Sequence, residues 1–311
     1  MHEGSKKAIF AAFVANLGIA IAKFIAFALT GAASMLAEAI HSVADTGNQS
    51  LLFLGGRRAQ RSESRLHPFG YGRERYFWGF VVALVLFSLG AVFATYEGVN
   101  KLINPHELDD PAIAFAVLGI AIVLEIFSFR TAIREANHVR HGRGWWEFIR
   151  TSKSPELPVV LLEDLGALIG LVFALCGVSL TVITGDEVFD ALGSIAIGLL
   201  LGVIAIVLAI EMKSLLIGEA AAPEDEDTIV QLLHESPEVA RVIHMRTLHL
   251  GPEELLVAVK IQPAGGSLDD FAATVDTLEA RIREAVPSAR RIYIEPDTYR
   301  PSKVPDAETD G

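Results

Sequence analysis

Glu38, His41 and Asp45 lie inside a long apolar segment, Ser34 to Gly55. At spacings of three and seven residues they project from one face of a helix. Ionisable groups at membrane depth each cost roughly 2.5 to 3.5 kcal/mol on insertion scales, so their default reading is an ion or substrate site. A second pair, Glu163-Asp164, follows Val159-Val160-Leu161-Leu162 in another apolar run. Imidazole and carboxylate on one helix supply only part of a metal shell, and this second helix is the obvious donor of the rest. Adjacent residues point about 100° apart, so one of the two acids can face the interior while the other turns to a neighbouring helix or the mouth. Gly166, Ala167 and Gly170 then let another helix approach closely. A buried acid or histidine can instead be a hydrogen-bonded packing element, and Lys23 and Glu125 read that way. Lys23 either snorkels to the outer surface or neutralises a carboxylate, with Glu125 as a candidate partner.

The elements that must hold these groups are membrane helices. The chain has 311 residues, 51% of them hydrophobic, with a mean hydropathy of +0.42, yet 21% are charged. A membrane domain joined to a soluble one fits both figures. Six stretches reach the length of a bilayer span, near 8–30, 33–55, 77–103, 112–133, 157–183 and 188–215. Met1 to Lys7 reads as a short cytosolic lead, and no small-residue cleavage site follows the first apolar run. Arg57, Arg58, Arg61, Arg65, Arg73 and Arg75 follow the second span, and Arg130, Arg134, Arg140, Arg143, Arg150 and Lys153 follow the fourth. The other connections hold only Lys101 among bases, with Asp109, Asp110, Asp186 and Glu187. The positive-inside rule therefore places both termini and the arginine-rich loops in the cytoplasm, the natural setting being a cell (inner) membrane. Tyr76, Phe77, Trp78, Trp145 and Trp146 stand where aromatic groups meet the lipid interface.

After Gly218 the pattern becomes that of a small soluble domain. An acidic helix over Asp225 to Glu235 leads into a strand at Val239 to Leu250. A second strand alternates through Leu255, Val257, Val259 and Ile261. Leu268, Phe271, Val275, Leu278 and Ile282 follow helical spacing, and Ile292 and Ile294 form a last strand. The expected fold is thus a six-helix membrane domain over 1–218, a cytosolic α+β domain of order αββαβ over 219–300, and a disordered tail over 301–311. The formal net charge is −12, and from Glu219 onward 19 acids stand against nine bases. Nucleic acid is excluded as a partner. Cys176 is the sole cysteine, which excludes intramolecular disulfides and cysteine-based zinc or redox centres.

The run Thr30-Gly31-Ala32-Ala33-Ser34-Met35-Leu36-Ala37-Glu38-Ala39-Ile40-His41-Ser42-Val43-Ala44-Asp45-Thr46-Gly47-Asn48-Gln49 and the loop His67-Pro68-Phe69-Gly70-Tyr71-Gly72-Arg73 closely resemble the cation diffusion facilitator family. Ser154 to Asp164 resembles the branch typified by zinc transporter nine. The resemblance implies six spans, a cytosolic metallochaperone-like domain and a homodimer. It implies a carrier and no enzyme: a divalent metal ion, Zn²⁺, is the transported substrate and protons are the counter-ion. Mn²⁺, Fe²⁺ or Co²⁺ cargo is the alternative, as is a membrane metal sensor that moves no ion. His41 and Asp45 match the family's second-span pair and Asp164 its final fifth-span acid, whereas Val160 stands where that span carries histidine. Glu163, Glu38 or water is left to supply the missing ligand, and more oxygen favours harder ions. His41 is the natural coupling group, because imidazole with an ordinary pKa near 6.5 exchanges a proton for a metal. In the loop only His67 matches a ligand position, Ser64 and Tyr71 replacing others. In the tail His244 matches one, while Lys260 and Ile294 replace imidazoles and His249 is a local alternative.

Overall fold

A computed structural model describes residues 3–105, 111–140 and 142–300, with side chains from residue 17 onward. The tail expected over 301–311, and Asp109 and Asp110, lie outside these residues. Helix α1 (Glu3–Thr30) stops at Gly31, whose φ of 63° ends it in the left-handed region. Helix α2 (Ala33–Ala59) starts two residues later. Its first free N–H groups are satisfied from far along the chain, Ala33 N and Ser34 N donating to the Asp190 carboxylate at 2.8 and 3.3 Å. Lys101 Nζ donates to the same carboxylate at 3.1 Å, and all of these side chains are buried.

Helix α3 (Glu74–Val85), a π-helical stretch over Leu86–Val92 and helix α4 (Phe93–Ile103) follow one another without a break. Helix α5 (Pro111–Val139) is followed by the short α6 (Trp145–Thr151), then α7 (Glu156–Thr184) and α8 (Val188–Ile217). Glycine sets the closest approach between α4 and α8: a Cβ on Gly98 would stand 2.7 Å from the Ala191 carbonyl oxygen. Among the described residues four helical segments, Glu74–Ile103, Pro111–Val139, Glu156–Thr184 and Val188–Ile217, are long and apolar enough to cross a membrane. Helix α2 is nearly as long but less apolar, and it buries Ser34, Glu38, His41, Ser42, Thr46 and Asn48 together with Met35 and several alanines. Two of its apolar side chains, Val43 and Phe53, are exposed.

Packing divides the chain into two units, residues 1–58 with 75–213, and residues 59–74 with 214–311. The loop 59–74, counted above with the first 218 residues, thus groups with the C-terminal unit. Within that unit Gly72 abuts the Leu250 carbonyl, and Glu63 pairs with Arg291. Its elements run α9 (Pro223–His234), β1 (Val239–Gly251), β2 (Glu254–Pro263), α10 (Leu268–Ala285) and β3 (Arg291–Pro296). The sheet has the order β1-β2-β3, antiparallel then parallel, with Met245 opposite Val259 and Val257 opposite Ile292. Alternation sends Leu255, Val257, Val259 and Ile261 into a core with Ile229, Leu233, Leu278 and Ile282 of the two helices.

Candidate metal centre

The three acids and bases that share a face of α2 sit at different depths. Glu38 and Asp45 are seven residues apart, about 10 Å along the axis, so they meet different neighbours. Glu38, with no exposed surface, accepts from Lys23 Nζ at 3.0 Å, and the same ammonium donates to Ser42 Oγ at 2.8 Å. The partner of Lys23 is therefore Glu38 and not Glu125, and Lys23, 2% exposed, does not snorkel to the surface. His41 is fully buried, with Nδ1 3.5 Å from Asp45 Oδ1. That separation is within reach of an ion pair but is not an aligned hydrogen bond, and neither ring nitrogen has a hydrogen-bond partner among the described residues.

A cavity of about 10 Å³, room for one water or one bare ion, opens between α1, α2, α5 and α7. Ser42, Asp45 and Gln49 line it from α2, Glu125 from α5, Glu163 and Asp164 from α7, and Ile19 from α1. Both acids of the Glu163-Asp164 pair reach it. Each is tied to a different neighbour: Asn48 of α2 donates to Glu163, and Ser128 of α5 donates to Asp164 Oδ2 at 3.0 Å. Glu38 and His41 are not among the lining residues. Val160 belongs to an apolar cluster with Ala132, Ala136, Phe148 and Leu161. Among the described residues no three imidazole, thiol or carboxylate side chains converge as a ready-made coordination shell.

The chemistry of this lining is oxygen chemistry. Carboxylates crowded round so small a space repel one another, and a divalent cation or bound protons relieve that repulsion. The same groups can therefore hold either a metal ion or its equivalent in protons. Glu125 is the residue that the sequence reading set aside as structural. Its signal was present all the same, an isolated acid within the apolar run of α5.

Among the described residues no histidine lines this cavity. His67 is exposed and stacks on Tyr71 with ring centroids 4.5 Å apart, and Ser64 Oγ lies 3.2 Å from the Tyr71 hydroxyl. His244 faces Lys260 across the β1–β2 pair, and Lys260 is itself paired with Glu295 at 3.0 Å and Asp297 at 3.4 Å. His249 Nδ1 lies 3.3 Å from the Gly251 carbonyl oxygen.

Residues 9–217 match the cation efflux transmembrane domain. Over 251 residues the chain is 32% identical to the human and mouse proteins named proton-coupled zinc antiporter SLC30A9, mitochondrial, an alignment covering 80% of this chain and 44% of theirs. It is 29% identical over 250 residues to metal tolerance protein C4 of Arabidopsis thaliana, covering 80% of this chain and 55% of that one. It is 24% identical over 290 residues to magnetosome protein MamB of Magnetospirillum gryphiswaldense, covering 92% of each. The chain thus spans about half the length of the first of these relatives. The domain match and the apolar helices together make it an integral membrane protein.

Proposed function

This chain belongs to the cation diffusion facilitator (cation efflux) family, in the branch of zinc transporter nine, and from that membership we propose that it moves Zn²⁺ across the membrane in exchange for protons. The observation that carries the reading is the cavity between α2 and α7, with Asp45, Glu163 and Asp164 on its wall. The names of the SLC30A9 relatives supply the ion and the counter-ion. In this account six helices cross the bilayer, α2 included, because its polar residues are sheltered by its neighbours. Both termini and the arginine-rich loops stay on the cytoplasmic side. Two copies associate, with the C-terminal unit as the contact between them.

Asp45, Glu163 and Asp164 hold the ion. His41 stands behind Asp45, 3.5 Å away, and accepts a proton as the metal departs. Glu38 works through Lys23, the two forming a neutral ion pair beside the site without touching the ion.

One observation favours a second cargo. No imidazole lines the cavity and Val160, partly buried, packs against an apolar cluster, so the donors are oxygens, which suits Mn²⁺ and, less strongly, Fe²⁺ or Co²⁺. A flux assay on the purified protein in vesicles, with Zn²⁺, Mn²⁺, Fe²⁺ and Co²⁺ in competition, separates the two and is repeated with Val160→His. Zinc prevailing in both proteins supports the first reading, and manganese prevailing in the unmodified protein supports the second. Binding without accumulation under any pH gradient rejects transport and leaves a metal sensor.

A further inference from the structure

Between α5 and α7 the chain carries basic residues that the transport account does not use. From residue 130 to 153 there are six, Arg130, Arg134, Arg140, Arg143, Arg150 and Lys153, against two acids, Glu135 and Glu147. The short helix α6 is pinned here by one side chain: Phe148, 2% exposed, packs with Ala132 and Ala136 of α5 and Leu161 of α7. That anchorage turns Trp145 and Trp146 outward, 40% and 58% exposed. Two exposed indoles are poorly placed in water and well placed at the boundary of a bilayer, where the ring meets hydrocarbon and the N–H meets headgroups.

Of the charges around the indoles, Arg130 and Arg134 are the most open to an anion, while Arg140, with Nε donating to Asn137 Oδ1 at 2.6 Å, is already partly engaged. Arg140 lays its guanidinium over the Trp145 ring at 4.4 Å, with Nη1 donating to the Arg143 carbonyl oxygen. Arg130 and Arg134, four residues apart on one face of α5, are exposed and form no ion pair among the described residues. Arg150 is 62% exposed and only 3.6 Å from Glu211.

We propose that α6 and its flanking arginines form a docking surface for anionic phospholipid. Trp145 and Trp146 lie in the interface plane, and the guanidinium groups of Arg130, Arg134 and Arg140 take phosphodiester oxygens, the geometry that arginine suits better than lysine. Membrane lipid is the occupant rather than free phosphate, because the indoles have apolar faces to bury and a soluble anion offers them nothing. The surface also touches the transport helix. Phe148 packs on Leu161, two residues before Glu163, so a lipid that holds α6 in place steadies the turn of α7 that leads into the cavity.

The test uses the full chain with Trp78→Phe, so that only the two indoles of α6 fluoresce, reconstituted in phosphatidylcholine containing brominated phosphatidylglycerol or brominated phosphatidylcholine. Brominated phosphatidylglycerol is expected to quench more strongly. Arg130→Gln with Arg134→Gln is expected to lower the preference by on the order of tenfold, while the quenching by brominated phosphatidylcholine stays. Equal quenching by the two lipids overturns the proposal, as does a preference unchanged by removing the arginines. Loss of the preference on adding inorganic phosphate also overturns it, by pointing to a simple anion site. The readout needs no transported ion, so its failure leaves the assignment of the cavity untouched.

Discussion

The ammonium of Lys23 lies 3.0 Å from a carboxylate oxygen of Glu38, with the two side chains 2% and 0% exposed. A buried pair is costly to break from one side, because the survivor is left as an uncompensated charge. Lys23→Met is expected to destabilise the protein by about 3 kcal/mol, and Glu38→Gln alone by a similar amount. The double substitution should cost clearly less than the sum, read as the midpoint of thermal unfolding in detergent. Additive losses would show that the two residues do not depend on each other.

Glu125 makes a prediction that a two-helix site does not. Glu125→Gln keeps the shape of the side chain and removes its charge from the cavity wall. The metal concentration for half-maximal flux should rise by about tenfold or more, the usual effect of removing a supporting group at a metal site. An unchanged value would return Glu125 to a packing role.

The four candidate spans were legible because each is a long apolar run, and the C-terminal strands because Leu255, Val257, Val259 and Ile261 alternate. The site was legible in part. Spacing put Glu38, His41 and Asp45 on one face, but angular position says nothing of depth, and over two turns the neighbour changes from Lys23 of α1 to the acids of α7. Glu125 was underweighted for a related reason. Periodicity within one segment does not say which helices pack together, and only the packing of α5 beside α7 brings that acid to Asp164. The pairing of Asp190 with the start of α2 was illegible for the same cause, since the two are 157 residues apart.

Asp190 satisfies the first N–H groups of α2 and the ammonium of Lys101 at once. Asp190→Ala therefore leaves a helix start uncapped and a buried cation unpaired, and should cost about 3–5 kcal/mol. Asp190→Asn keeps acceptors for the N–H groups and should cost less. Thermal unfolding in detergent gives both values, and an Asp190→Ala protein as stable as the unmodified one would remove Asp190 from the account.

In the C-terminal unit the Ser267 backbone N–H, 2.9 Å from Asp270 Oδ2, and then the Ser267 hydroxyl hold the Asp270 carboxyl below the usual carboxylate range. A carboxyl depressed in the folded state stabilises above its unfolded pKa and loses that contribution as pH falls through the folded value. Amide-exchange protection in the first turn of α10, corrected for intrinsic rates, should therefore fall as pH drops below about 4. Asp270→Ala should remove the dependence, and a variant that retains it would place its origin elsewhere.

Asp45 is assigned to the path of the ion. Vesicles containing the purified protein and an internal zinc-sensitive dye, placed under an imposed pH gradient, measure it directly. The unmodified protein is expected to accumulate Zn²⁺ in proportion to the gradient, and Asp45→Ala, reconstituted in equal amount, to give only the leak of empty vesicles. Asp45→Ala vesicles that fill as fast as those with the unmodified protein would contradict the assignment.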